Sequence, residues 1–267
     1  MRQATTVAEP SGSLRTEALS LGYADRLVIE ELSLAIPAGL HTAILGPNGC
    51  GKSTLLRALA RLMTPRAGRV LLDGCDVHRE NTRALARRLA ILPQAPLAPE
   101  GITVADLVRR GRTPWRGVLS PWRDSDQEAC AAALRAVGLT ELAERPLDAL
   151  SGGQRQRAWL ALVLAQDTPV LLLDEPTTFL DLPHQIEILR LIQARNRETG
   201  TTVVSVLHDL NLTARHCDHV VLLGPRGLVA AGDADTVFTA DNFETAFGLK
   251  ARIVVDPVAG APMVIPL

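Results

Sequence analysis

Nine consecutive residues, Gly46-Pro47-Asn48-Gly49-Cys50-Gly51-Lys52-Ser53-Thr54, follow the spacing G-x-x-x-x-G-K-[ST]. Glycines at such spacing let the backbone curl, so that successive N–H groups point inward at phosphate oxygens. The helix expected to open at Lys52 adds the positive potential of its N-terminus. On this reading Lys52 reaches the β- and γ-phosphates of a nucleotide and the Ser53 hydroxyl holds Mg²⁺. Cys50 fills a free position of the motif, as a buried thiol contributing through its backbone.

A second group of residues completes the chemistry. Val170-Leu171-Leu172-Leu173-Asp174-Glu175 reads as an apolar strand ending in two carboxylates, 122 residues (174 − 52) after Lys52. An acid at the C-terminal end of a parallel strand lies beside such a phosphate loop. Asp174 is expected to position Mg²⁺ through water, and Glu175 to polarise an attacking water as a general base. Leu150-Ser151-Gly152-Gly153-Gln154 opens a helix expected over Arg155–Ala165. A serine at a helix start followed by two glycines is an anion site by the same physics as the first loop. The chain already has its own phosphate loop, so this second site calls for another nucleotide.

The elements that must position these groups can be read from pattern. Leu14–Tyr23 and Leu27–Ile36 read as strands around Ala24-Asp25-Arg26, and His41–Leu45 as a short strand stopped by Gly46-Pro47. Lys52–Leu62 reads as a helix with Leu55, Leu59 and Leu62 on one face. Arg69–Leu72 and Ala90–Leu92 are further short strands. From about Ala95 to Gln166 the chain is rich in Ala, Leu and Arg and reads as helices, one carrying Cys130, Ala133, Leu134 and Val137 at amphipathic spacing. Strand–helix alternation then resumes: Val170–Leu173, Pro183–Thr199, Thr202–Leu207, Asp209–His216, His219–Leu223, and Gly227–Gly232 as the second half of a hairpin. Fully apolar strands alternating with helices imply a parallel sheet covered on both faces. Ala251–Val255 and Met263–Ile265 are expected to form a small hairpin.

Composition bounds the alternatives. The chain has 267 residues, 47% hydrophobic and 21% charged, which excludes disorder throughout. Its 28 Lys+Arg against 29 Asp+Glu give a net charge of -1, and a nucleic-acid binder that relies on charge would be more basic. Cys50, Cys75, Cys130 and Cys217 lie far apart, which fits a reducing compartment. The polar stretch Met1–Ser13 has no apolar core of an export signal. The apolar runs Ala158–Ala165 and Val170–Leu173 fall well short of the roughly 18 residues a membrane span requires.

With Leu150–Gln154 in view, the chain resembles the ATP-binding subunits of ABC transporters, in which Leu-Ser-Gly-Gly-Gln is the signature motif. The resemblance runs from about Leu14 to Leu249, with the motifs in the family's order. It implies an α/β fold of the P-loop NTPase, ABC type, with an N-terminal antiparallel β-subdomain and a helical subdomain inserted at about 95–166. Residues 1–13 are then a flexible tail, 14–250 the ATP-binding domain and 251–267 a C-terminal extension. It further implies a head-to-tail dimer sandwiching two ATP molecules, each bound by Gly46–Thr54 of one chain and covered by Ser151, Gly152, Gly153 and Gln154 of the other.

Other positions match the family singly. Tyr23, the only tyrosine, stands where the family places an aromatic that stacks on adenine; a core strand aromatic is the plainer alternative. Gln94 matches a glutamine that touches Mg²⁺ and water, and His208 a histidine that contacts the γ-phosphate and orients Glu175 or water. Phe179-Leu180-Asp181 matches a loop that signals between the two sites, although the family more often has a small residue at the position of Phe179. His41, His78, His184, His216 and His219 read as structural or solvated.

Several stretches resemble the iron–siderophore subgroup: Gly111–Pro114, Leu150–Leu164, Asp174–Gln185, Leu207–Leu212 and Asp256-Pro257. The implied activity is ATP hydrolysis powering ferric-siderophore import, with haem and cobalamin importers as close alternatives. A soluble ABC ATPase and a non-hydrolysing scaffold are more distant ones. The implied partners are a second copy, transmembrane permease subunits and, indirectly, a substrate-binding protein. They place the chain on the cytoplasmic side of the membrane. Trp115, Trp122 and the segment Gly101–Trp122 lie where such subunits dock the permease, or else pack as a satellite core.

Overall fold

The computed structural model describes residues 13–24, 26–117 and 120–267. The tail expected over Met1–Ser13 lies outside the described residues except for Ser13, as does Asp25 of the expected turn.

In chain order, β1 (Leu14–Tyr23), β2 (Arg26–Ile36) and β3 (His41–Leu45) precede α1 (Lys52–Leu59). Then come β4 (Ala67–Leu72), β5 (Cys75–Asp76), α2 (Thr82–Ala86) and β6 (Leu89–Leu92). A helical stretch follows: α3 (Val104–Arg109), a 3₁₀ turn over Arg110–Trp115, α4 (Asp124–Ala136) and α5 (Gly152–Gln166). Alternation returns with β7 (Val170–Asp174), α6 (Leu182–Thr199), β8 (Thr202–Val206), α7 (Leu210–His216), β9 (His219–Gly224) and β10 (Gly227–Gly232). The chain closes with α8 (Ala234–Val237), α9 (Ala240–Phe247), β11 (Ala251–Val255) and β12 (Pro262–Pro266).

Two larger sheets result. β2-β1-β4-β5 is antiparallel. β10-β9-β3-β8-β7-β6 is parallel except for the hairpin strand β10. In the parallel sheet, all residues of β3, β7 and β8 are buried. This explains their largely apolar or β-branched character, since helices cover both faces. Helix α1 fills the space between the two sheets with Leu55, Leu56 and Leu59, which join Leu14, Leu21, Ile44, Leu72 and Leu172 in one core.

The apolar run in α5 is the centre of a second core. Leu160, Ala161 and Val163 pack with Leu107 and Val108 of α3 and with Cys130, Ala133 and Leu134 of α4. A helix apolar nearly all round is what a central position among other helices requires. Among the described residues no helix is long and apolar enough to cross a membrane.

Two expectations need correction. The helix after the phosphate loop stops at Leu59, and Leu62 is 62% exposed instead of sharing the buried face. The cause is Arg61, which takes a left-handed φ of 58° and sends its guanidinium to the carbonyls of Val77 and Glu80. Helix α5 begins three residues earlier than expected, because Ser151 and Gln154 cap it reciprocally: Gln154 N–H donates to Ser151 Oγ at 3.2 Å and Ser151 N–H to Gln154 Oε1 at 3.1 Å. The C-terminal hairpin forms as expected, its second strand one residue longer at each end. It packs on α7 and α9 through Val264 and Ala251.

Candidate active site

Four neighbouring strands of the parallel sheet, in the order β3-β8-β7-β6, run in one direction. Their C-terminal ends deliver the sequence's chemical residues to one edge. Gly46–Thr54 follows β3, His208 follows β8, Asp174 and Glu175 end β7, and Gln94 follows β6. Ligands of open α/β sheets bind at this edge.

The phosphate loop needs glycine for steric reasons that can be measured. Gly46 has φ 150°, and a Cβ there would sit 2.4 Å from the Leu223 carbonyl oxygen. Gly51 has φ 105° and would place a Cβ 2.9 Å from Val28. Gly51 also starts α1 without a side-chain cap, and no acidic residue occupies the first turn. The N-terminal N–H groups of α1 and their dipole are therefore open to an anion. Lys52 is buried, its Nζ donating to the carbonyls of Gly46 at 2.8 Å and Pro47 at 3.0 Å. The ammonium is thus fixed inside the loop's curl. Cys50 is buried, and burial pushes its thiol above its ordinary value, so it is a poor nucleophile.

Ser53 Oγ donates to Asp174 Oδ1 at 2.9 Å, joining α1 to the end of β7. Burial raises the Asp174 carboxyl above the usual carboxylate value; the Ser53 bond opposes this, and the Glu175 charge adds to it. Glu175 itself takes a left-handed φ of 54°. That turn swings its carboxylate among three donors. Gln94 Nε2 donates to Oε1 at 2.9 Å, Thr178 Oγ1 to Oε2 at 3.0 Å, and His208 Nε2 lies 2.8 Å from Oε1. Burial would raise the Glu175 pKa, but hydrogen bonds from His208, Thr178 and Gln94 outweigh it and hold the group below the usual range. Glu175 is therefore a carboxylate at neutral pH, held in place by these three side chains.

Tyr23, Arg26, Val28, Asn48, Gly49, Lys52, Ser53, Thr54, Gln94, Glu175 and His208 line one open cleft of about 610 Å³. Tyr23 is 48% exposed, its hydroxyl 3.5 Å from Thr54 Oγ1, so it is a wall of this cleft and not a core aromatic. Ser151, Gly152, Gly153 and Gln154 do not line it. They form the N-terminus of α5, with Ser151 and Gly152 exposed and Gly153 and Gln154 half-buried, beside Phe179 and Leu180.

Two residues of the site escape a reading of spacing. Thr178 was legible only as the third residue after Glu175. Gln156 is buried on α5 and donates to the carbonyls of Glu175 at 3.4 Å and Pro176 at 3.3 Å, so it buttresses the turn that carries the carboxylate. A polar side chain among the apolar positions of α5 was its only signal. Phe179, with φ 65° and 80% exposure, stands at the tip of the same turn. His41 is fully buried and bonded to Ser205, away from the cleft. His184 pairs with Asp181. Trp115 and Trp122 are half-buried: Trp115 Nε1 donates to the Gln166 carbonyl, and Trp122 packs against the second core.

Comparison with known proteins agrees with this geometry. A family model described as ABC transporter matches residues 29–178. A Bacillus subtilis (strain 168) protein named as a siderophore transport system ATP-binding protein, YusV, is 50% identical over 95% of this chain and 92% of its own. The ferric enterobactin transport ATP-binding protein FepC of Escherichia coli (strain K12) is 49% identical over 98% of this chain and 96% of its own. Among solved structures, one described as an inward-facing metal-chelate type ABC transporter superposes with a TM-score of 0.82 at 28% identity, covering 97% of this chain and 98% of that one.

Proposed function

The chain belongs to the ABC transporter family, and we propose that within it this is the ATP-hydrolysing subunit of an importer carrying ferric siderophores across the cytoplasmic membrane. The observation that carries the reaction is the convergence of Gln94, Thr178 and His208 on the Glu175 carboxylate, at the mouth of the loop that holds Lys52. The cargo rests on likeness to the siderophore and ferric enterobactin ATP-binding proteins, each matched over nearly its whole length.

The residues divide the work as follows. Tyr23 stacks on the adenine. The N–H groups of Gly49, Cys50, Gly51 and Lys52, with the Lys52 ammonium, bind the phosphates. Glu175 takes the proton of the attacking water, and His208 and Gln94 hold that carboxylate and the water in line. A bound Mg²⁺ supplies Lewis-acid neutralisation of the phosphate charge. The donors present suit that ion: Ser53 Oγ and Asp174 Oδ1 are hard oxygens 2.9 Å apart, and the Gln94 amide oxygen is a third.

The signature residues stand on an exposed helix start that the same chain's cleft does not include. A second copy of the chain, arranged head to tail, supplies its Ser151, Gly152, Gly153 and Gln154 to cover the nucleotide. Closure of this dimer on ATP drives the permease, which docks on the Gly101–Trp122 side of the helical region at 95–166. The subunit is held to the cytoplasmic face of the membrane through that permease, and a substrate-binding protein delivers cargo from the other side.

The test is uptake of radiolabelled iron, supplied as ferric siderophore, in cells carrying either this chain or Glu175→Gln. Loss of uptake in the variant, with haem and cobalamin use unaffected, is expected. Equal uptake in both would overturn the cargo assignment.

A further inference from the structure

His208 makes one polar contact in the cleft, to Glu175, and its side chain is about half exposed (49%). Its position is therefore set by the backbone that carries it. That backbone runs directly into α7: Asp209 caps the helix, accepting from the Leu212 N–H at 2.7 Å, and Thr213 Oγ1 donates to the Asp209 carbonyl at 2.7 Å. Helix α7 has only seven residues. A helix of two turns has little stability of its own, so tertiary contacts decide where it lies.

Helix α7 packs against α6 and β3, and its polar contacts come from the far end of the chain. Asn211 and Arg215, four residues apart on one face of α7, both bind the C-terminal hairpin. Asn211 Oδ1 accepts from the Val264 N–H at 2.8 Å, and its Nδ2 donates to the Val264 carbonyl at 3.5 Å, the pattern a strand neighbour would make. Arg215 Nε donates to Asp256 Oδ2. Asp256 is buried, and its other oxygen accepts from the N–H groups of Val258 at 2.9 Å and Ala259 at 3.2 Å, which shapes the hairpin turn. Val264 and Ala251 add apolar contacts to the core that contains Leu212 and Ala214. The hairpin thus grips α7 at two polar points and one apolar one.

We infer that the C-terminal hairpin is a positioning clamp for the reaction: through Asn211, Arg215 and Asp256 it fixes α7 and so holds His208 against Glu175. This rests on the role proposed above for His208. The three residues touch neither substrate nor the reacting atoms; they are positioning residues. A misplaced histidine costs turnover more than nucleotide binding, because the phosphate loop and Tyr23 lie on other elements.

The experiment measures Mg-ATP hydrolysis by the full-length chain and its variants, each checked for fold by circular dichroism and thermal unfolding. Asn211→Ala and Asp256→Asn are expected to lower kcat about fivefold to tenfold with KM for ATP within about twofold. Arg215→Lys is expected to restore most of the rate that Arg215→Ala loses. Val258→Ser, at an exposed hairpin position, is the control expected to match wild type. The same substitutions are then made in a His208→Ala background, where a hairpin acting through His208 has no further effect on kcat. If His208→Ala alone leaves kcat unchanged, the reading of His208 fails and the clamp with it. If His208→Ala lowers kcat but folded hairpin variants do not, or if their losses add to that of His208→Ala, the clamp alone is overturned.

Discussion

His208 Nε2 lies 2.8 Å from Glu175 Oε1, the same oxygen to which Gln94 Nε2 donates. Two groups from the ends of different strands thus converge on one atom, while Thr178 holds the other oxygen. A glutamine at position 175 keeps an oxygen for these donors and the shape of the turn, but cannot take a proton. Glu175→Gln is therefore expected to lower kcat by about a hundredfold or more while ATP binds with unchanged affinity. Single-turnover hydrolysis and equilibrium nucleotide binding check this together, and wild-type turnover would remove Glu175 from the mechanism.

Tyr23 forms a wall of the cleft, its hydroxyl 3.5 Å from Thr54 Oγ1 on the phosphate-loop helix. Its ring, not its hydroxyl, is what an adenine would use. Tyr23→Phe is expected to bind ATP like wild type, and Tyr23→Ala about tenfold more weakly, the scale of one base–aromatic stack. Titration with a fluorescent ATP analogue separates the two. Equal weakening in both variants would assign the contact to the hydroxyl.

Much of this architecture was legible because local pattern and long-range structure agree. The largely apolar or β-branched runs of β3, β7 and β8 are what a sheet buried on both faces demands. The phosphate loop announces itself because only glycine fits 2.4 Å from a carbonyl oxygen. What spacing could not show were contacts between residues far apart in the chain. Gln156 is tied to the Glu175 turn across 19 residues, and Asn211 to Val264 across 53. Leu62 was misplaced because nothing in its own spacing reveals that Arg61 leaves the helix to bind carbonyls of the following segment.

His41 illustrates a buried group with a pH signature. It is fully buried on β3, with Nε2 2.9 Å from Ser205 Oγ and its backbone N–H donating to Asp218. Burial lowers its pKa to about 4, against a smaller opposing pull from Asp218. The imidazole is then neutral in the folded chain at pH values where the unfolded chain binds a proton. Stability from this source is full above the unfolded value near 6.5 and is lost as pH falls toward about 4. Between about pH 7 and about pH 5 the loss is about 2 kcal/mol. Chemical denaturation at the two pH values should show this slope, and His41→Gln should flatten it. An equally steep slope in the variant would place the proton uptake elsewhere.

The arrangement of the signature across two chains, as proposed above, makes a sharper prediction. Gly152 is exposed, and a Cβ there would meet nothing closer than Phe179 Cβ at 3.8 Å, so Gly152→Glu leaves the fold intact. A carboxylate at the N-terminus of α5 suits the helix dipole, yet repels a phosphate approaching the same N–H groups. Lys52→Ala removes the ammonium from the other half of the site. Each variant alone is expected to be inactive. In an equimolar mixture, half of the dimers pair the two variants, and each such dimer has one site with both Lys52 and Gly152 intact. The mixture should therefore recover up to about a quarter of the wild-type number of sites, as head-to-tail symmetry requires. If both halves of the site belonged to one chain, every site in the mixture would carry a lesion and no activity would return. Steady-state phosphate release from the parents and the mixture decides between the two.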